Sequence, residues 1–336
     1  SVARIAHDGV ETLNGKIYFV GGQNHVTEQS YSLAERYDPA SNHWESLNPM
    51  SVARDCVATA VLNGKLYAIG GSGLSSVEIY DPVTGQWSAG PALPSSVKGA
   101  TAITVNDKIL LMCGKNSSGQ PINQVLELDP STNQWSQKAP VPTVRSGIEL
   151  VLMEGKVWAI GGSNWGIGTE FFQKVEIYDP ATDNWTYGPS LTSKREWPVA
   201  WMANGRVYVA GGKDNSNSYL NSIEVYDPAT NQWTPAGTLP EPKWCAGAAV
   251  LDGKIHLVAG RTSLTDYRDK VFAANLPPPA MDLYFRDGNA TAEAATTPAL
   301  DGNLSITLNM LAPDALAKLN VSQTHAQSAG SVLAAP

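Results

Sequence analysis

Charge is scarce in this chain: Asp, Glu, Lys and Arg make up 16% of its 336 residues, with a formal net charge of −8. An acidic balance excludes a general nucleic-acid binder, which needs a surplus of cations to meet phosphate. Cysteine is scarcer still. Three are present, an odd number that implies no disulfide framework. The five histidines (His7, His25, His43, His256, His325) lack the His/Cys spacing of a metal site, so neither metal nor other cofactor is expected. No apolar run is long enough to cross a bilayer. There is no P-loop and no nucleophile elbow. What is abundant is glycine and proline, 30 and 22 residues, in keeping with short strands and many turns.

Against that background one pattern recurs. Asp-Pro is followed by tryptophan five residues after the proline at Asp38-Pro39…Trp44, Asp81-Pro82…Trp87, Asp129-Pro130…Trp135, Asp179-Pro180…Trp185 and Asp227-Pro228…Trp233. Successive tryptophans are 43 to 50 residues apart. A period of that size signals stacked copies of one supersecondary unit.

Residues 51–94 show the unit most clearly. Ala58–Leu62 and Lys65–Ile69 read as strands around Asn63-Gly64, a pair that favours a two-residue hairpin turn with positive φ. The second strand ends in Gly70-Gly71, where absent Cβ atoms permit close backbone approach. A variable loop leads to a third strand, Val77–Tyr80. Asp81-Pro82 opens a turn, because proline presets φ and aspartate bonds the local backbone. Trp87 starts a fourth strand. Gly-Gly recurs at Gly21-Gly22, Gly161-Gly162 and Gly211-Gly212, and weakens to Cys113-Gly114 and Ala259-Gly260. Hairpin turns recur at Asn14-Gly15, Asn106-Asp107, Glu154-Gly155, Asn204-Gly205 and Asp252-Gly253. These six four-strand units are apolar on both faces. Radial packing buries those faces, so the predicted fold is all-β, a six-bladed β-propeller of four-stranded antiparallel blades.

The series Gly-Gly, Glu-x-Tyr-Asp-Pro and tryptophan resembles the kelch repeat, over about residues 1–275. Blades are expected at about 1–50, 51–94, 95–142, 143–192, 193–241 and 242–275. Copy six has no Asp-Pro…Trp element, and Ser1–Arg4 matches Ser51–Arg54, the segment after a fourth strand. The expectation is a fragment whose upstream residues supply the outer strand of blade six; alternatively, Met281–Asp287 fills that edge. A Pro-rich linker at 276–280 precedes a partial C-terminal module or tail over 281–336, with a second strand at Leu304–Asn309 and a short helix at Pro313–Asn320. The stretch from Ile306 to Asn320 is similar to segments of large bacterial surface proteins. It suggests an extracellular or cell-surface bacterial protein, with the cytoplasm as the alternative.

Five of ten tryptophans belong to the repeat, and Trp158 stands at a strand position held elsewhere by tyrosine. Trp165 follows a Gly-Gly pair, and Trp197 and Trp244 precede innermost strands. Kelch geometry places both kinds of segment on one face. Trp201, within an innermost strand, is assigned to the core. The lead-in segments also carry Arg4, Arg54, Lys98, Arg145, Arg195 and Lys243. Arg145-Ser146-Gly147 is similar to a local pattern by which kelch substrate adaptors bind acidic peptides. No BTB or BACK domain lies within these residues, so the resemblance carries no ubiquitin-ligase role.

The expected ligand-binding set is therefore Arg54, Arg145, Trp165, Arg195, Trp197, Lys243 and Trp244, presented to a carbohydrate or an acidic peptide or protein by a monomeric, non-catalytic propeller within a larger protein. The competing reading has the arginines bonding backbone carbonyls at blade junctions and the extra tryptophans filling space. Asp8, Glu11 and Glu149 on innermost strands must face a watery channel or find partners. The enzymatic alternative is a sugar-modifying activity like that of sialic-acid mutarotases, which resemble kelch propellers. Glu149 or Glu196 would then be the acid/base beside Arg145 or Arg195. Copper chemistry of the galactose-oxidase type lacks its Tyr-His pair here.

Overall fold

The computed structural model describes residues 4–6, 9–24, 27–168, 170–263, 271–276, 284–286 and 289–291. All described secondary structure is β, and the chain divides into two units, Ser1–Leu276 and Pro277–Pro336. The first unit is a six-bladed propeller. Its innermost strands are Val10–Leu13, Ala58–Leu62, Thr101–Val105, Glu149–Met153, Val199–Ala203 and Gly247–Leu251. Five blades are four-stranded antiparallel sheets with the strands in sequence order.

Local chemistry explains each blade. Both turn residues of the first hairpin take the left-handed conformation, as at Asn63 (φ 52°) and Gly64 (φ 70°). That twist matches the flanking strands and sets their register, for example Leu62 opposite Lys65. The Asp-Pro aspartate closes the later turn by accepting an amide proton two residues on: Val83 N–H to Asp81 at 2.9 Å and Ala181 N–H to Asp179 at 3.0 Å. The tyrosine before it stacks obliquely on the repeat tryptophan, with Tyr80 and Trp87 centroids 5.2 Å apart.

The tryptophans join one blade to the next. Indole Nε1 of Trp87, Trp135, Trp185 and Trp233 donates to the carbonyls of Asn48, Pro91, Ala139 and Pro189 in the preceding blade, at 2.8 to 2.9 Å. The fourth strands of blades two to five are thus tied across junctions whose interior is apolar, as where Leu62 and Ile69 meet Leu111 and Leu128. The ring closes between blades six and one: Ala6 N–H bonds Cys245 O at 3.2 Å, and Val10, Phe19 and Tyr37 pack with Ala249 and Val258.

Blade six has three strands among the described residues, ending with Val271–Asn275. Tyr284–Arg286, offered by the sequence as part of its outer strand, instead pairs antiparallel with Asn289–Thr291 in a ladder of its own. The strand expected at Leu304–Asn309 and the helix at Pro313–Asn320 lie outside the described residues, as do His7, Asp8, His25 and His325. All three cysteines are buried and none is in a disulfide. Burial pushes the Cys113 thiol up to about 12. No described helix is long and apolar enough to cross a membrane.

Candidate functional site

The residues leading into each innermost strand follow one register. The second glycine of each Gly-Gly pair donates its amide to a lead-in carbonyl of the next blade: Gly22 to Arg54, Gly71 to Val97, Gly162 to Arg195 and Gly212 to Lys243. Val97, and not Lys98, is therefore blade three's counterpart of the arginines. Lys98 sits one position later, where it bridges to Lys115 as Ser146 does to Ser163 and Glu196 to Lys213.

This register corrects the sequence reading of the basic residues. Arg54, Arg145 and Arg195 are 0% exposed and turn inward under their own blades. Arg54 donates to Gly70 O (2.6 Å), Ser76 O (2.8 Å) and Glu78 (3.0 Å). Arg195 repeats the arrangement with Gly211 O (2.7 Å), Ser222 O (3.0 Å) and Glu224 (2.8 Å). Arg145 pairs with Glu176 and bonds Ala159 O at 3.1 Å, and Arg4 pairs with Glu35 at 2.7 Å. Lys243, also buried, pairs with Glu241 at 2.8 Å. The partners of the four arginines are the glutamates of the repeat. Each arginine clamps the lead-in to the second and third strands. A guanidinium so enclosed and paired has no face to offer a rim ligand. Blade three is the control: with Val97 in the arginine position, the glutamate position is Leu126, and the two belong to one apolar cluster.

The tryptophans behave differently. Trp165, Trp197 and Trp244 line one cavity of about 360 Å³, together with Lys98, Lys115 and Lys213. Trp165 is 51% exposed at the loop tip. Trp197 takes φ 50° at a position held elsewhere by Cys56, Gly99, Gly147 and Cys245, all with positive φ. Its indole lies over two of those glycines: a Cβ on Gly99 would stand 2.9 Å from Cη2, and one on Gly147 2.9 Å from Nε1. Trp244 is flanked by Lys213, whose Nζ is 5.2 Å from the ring centroid, and by Arg261 at 5.3 Å. Trp201 is in the core, stacked on Tyr208 at 5.4 Å.

The two candidate acid/base carboxylates line different cavities. Glu149, with Glu11, borders the central channel, a space of about 370 Å³ rimmed by Thr59, Thr101 and Thr104. Glu196 lies in the rim cavity, 6% exposed, and accepts a hydrogen bond from Ser163 Oγ. The arginines proposed as their neighbours are taken by other carboxylates, Arg145 by Glu176 and Arg195 by Glu224. Burial raises the Glu196 carboxyl above its usual range, and the Ser163 hydroxyl and the charges of Lys115 and Lys213 only partly oppose it. Lys98 has its own partner, Asp55, at 2.7 Å.

Sequence reasoning passed over Lys115 and Lys213. Both immediately follow the Gly-Gly position, which is where Gln23, Ser72, Ser163 and Arg261 stand in the other blades. No group of three or more His, Cys, Asp or Glu suited to a metal ion occurs among the described residues.

The KLHDC2/KLHL20/DRC7 Kelch-repeats domain model matches residues 6–198, more than half of the chain, and the Kelch motif model matches residues 203–240. Kelch-like protein 26 of Danio rerio is 28% identical over 225 residues, 65% of this chain and 37% of that protein. Human Kelch repeat and BTB domain-containing protein 13 is 39% identical over 95 residues, 27% of this chain and 21% of that protein. The chain thus spans well under half the length of these curated relatives. The solved structure of YjhT shares the fold with a TM-score of 0.70 at 18% identity, covering 81% of this chain and 95% of that one. Six radial sheets, the repeat chemistry and the matched models agree: the chain belongs to the kelch-repeat family.

Proposed function

We propose that this propeller is a non-catalytic binding module whose rim cavity takes a ligand bearing a carboxylate, with an acidic carbohydrate as the first class. One observation carries the reading: three indoles and three lysines converge on a single cavity in a chain whose net charge is −8. Lys98 and Lys115 come from blade three and Lys213 from blade five, while blade four contributes Trp165 and the small polar Ser146. Flat indoles suit the apolar face of a pyranose, and ammonium groups suit its acid. The spread of lysines on either side of blade four supports a second reading, an acidic peptide segment laid across the mouth.

The test is an array carrying neutral glycans, uronic- and sialic-acid glycans and acidic peptides, probed with the full chain and with Trp165→Ala. Trp165 is half exposed, so truncating it leaves the fold intact. The expected result is a set of acidic hits that the variant loses. Acidic peptides alone among the hits would select the second reading. Hits on neutral glycans alone, or hits that Trp165→Ala retains, would overturn the assignment of this cavity.

A further inference from the structure

The rim cavity already contains an acid. Glu196 enters it from the lead-in of blade five and hydrogen-bonds Ser163 Oγ in blade four. Its backbone pairs with Lys213 in both directions (3.0 and 2.9 Å), and the charges of Lys115 and Lys213 both act on its carboxyl. Lys115 and Lys213 occupy the same repeat position two blades apart, with Ser163 between them in blade four. The other charges around the mouth are engaged elsewhere. Lys98 pairs with Asp55, and Arg145 and Arg195 are held by Glu176 and Glu224; Arg261 lies over Trp244, as Lys213 does, but of the two only Lys213 lines the cavity.

We propose that Glu196 is a built-in counter-anion that holds the place of the ligand's acidic group among Ser163, Lys115 and Lys213, so that ligand binding is coupled to uptake of one proton at Glu196. This rests on the reading of the cavity as a site for carboxylate ligands. A second carboxylate brought into this desolvated pocket disfavours ionisation of the first, and so raises the pKa of the pair against the pull of the two lysines. When the ligand's acid arrives, Glu196 takes a proton from solvent and becomes a neutral donor or acceptor. The same burial that makes its ionised form costly prepares that step. The cavity is thereby partly neutralised when empty, one carboxylate against two ammonium groups, and favours an acidic occupant as the pH falls.

The experiment is calorimetric titration of glucuronate, and separately of an Asp/Glu tetrapeptide, into the full chain from pH 5 to 8. Each titration is run in two buffers of different ionisation enthalpy so that protons are counted. Wild type is expected to bind more tightly as pH falls, by up to about tenfold per unit, with uptake approaching one proton. Glu196→Gln is expected to bind roughly tenfold more tightly than wild type at pH 7.5, with no pH slope and no proton uptake. Glu196→Ala serves as a second variant should the Gln protein melt abnormally. If Glu196→Gln binds no better than wild type, or keeps its pH slope, the counter-anion role is overturned. If Lys115→Ala weakens binding while Glu196→Gln changes nothing, the carboxylate site stands and the role of Glu196 alone falls. If no acidic probe binds either protein at any pH, both fall together.

Discussion

The indole of Trp197 lies against the bare Cα of Gly147, so closely that a methyl group there would stand 2.9 Å from Nε1. Backbone conformation alone does not demand this glycine. Cys56 and Cys245 hold the same repeat position with φ of 47° and 54°. The requirement comes from the ring, which sweeps from blade five across blade four to Gly99 of blade three. Gly147→Ala should therefore shift the ring, visible as a change in tryptophan emission, and lower stability. In a Trp197→Ala background the same substitution should cost less, leaving only the left-handed backbone and the approach to Glu196 Cγ at 3.0 Å. A double-mutant cycle should return a coupling of about 0.5–3 kcal/mol. A coupling near zero would mean that the glycine serves the backbone and not the indole.

The arginine clamps make an opposite kind of prediction. Arg195 is fully enclosed with Glu224, four of its hydrogen bonds running to that glutamate or to backbone carbonyls. Removing one member strands the other in a desolvated place. Arg195→Ala is expected to cost about 3–5 kcal/mol, whereas Arg195→Met combined with Glu224→Leu should cost far less. Chemical denaturation of the single and double variants checks this. Ligand affinity measured on the folded fraction should not change, since neither side chain lines the rim cavity.

The blades were legible because their determinants are local. Asn63-Gly64 needs only its own two dihedrals, and Asp81 needs only the amide of Val83, so the pattern names the geometry directly. The misread arginines depend on direction, which spacing does not carry. Whether Arg54 points to the rim or beneath its blade is decided by Glu78, which lies 24 residues later. A signal was nonetheless present. Glu35, Glu78, Glu176 and Glu224 recur at one repeat position opposite an arginine, and blade three, which has Val97, has Leu126 at that position. The rim tryptophans were found by subtraction from the repeat. Lys115 and Lys213 share a position directly after Gly-Gly that is readable in the sequence; what spacing does not carry is that both side chains line the same cavity.

The repeat tryptophan is tied by one hydrogen bond across each of four junctions, and this tie is separable from its packing. Trp135 donates Nε1 to Pro91 O at 2.9 Å while its half-buried ring packs against the core between blades two and three. Trp135→Phe keeps most of the apolar contact and leaves the carbonyl without its donor. The expected loss is about 0.5–1.5 kcal/mol for the bond, with a further contribution from the smaller ring. Trp135→Ala should cost about 3–5 kcal/mol. Equal losses in the two variants, measured by urea denaturation, would show that the hydrogen bond and not the ring joins the blades.

Acid should weaken the ring first at its closing seam. His256, on the second strand of blade six, is 2% exposed, and its ring lies 6.2 Å from that of Tyr37 in blade one. Burial lowers its pKa, as does the charge of Lys254, and the Leu251 carbonyl and Asp252 oppose them only in part. The sign follows from linkage. A histidine held neutral in the folded chain binds its proton more readily when unfolded. Its contribution is intact above the unfolded value, about 6.5, and is lost as pH falls toward the lowered folded value. Surface carboxylates such as Asp38 and Asp81, held below their usual range by Lys16 and Lys65, lose their contribution only at more acidic pH, below about 4. Melting temperature against pH should therefore fall in two steps. Replacing His256 with phenylalanine, which cannot protonate, should erase the upper step and leave the lower one. If the variant keeps a decline between pH 6.5 and 5, the seam histidine is not its cause.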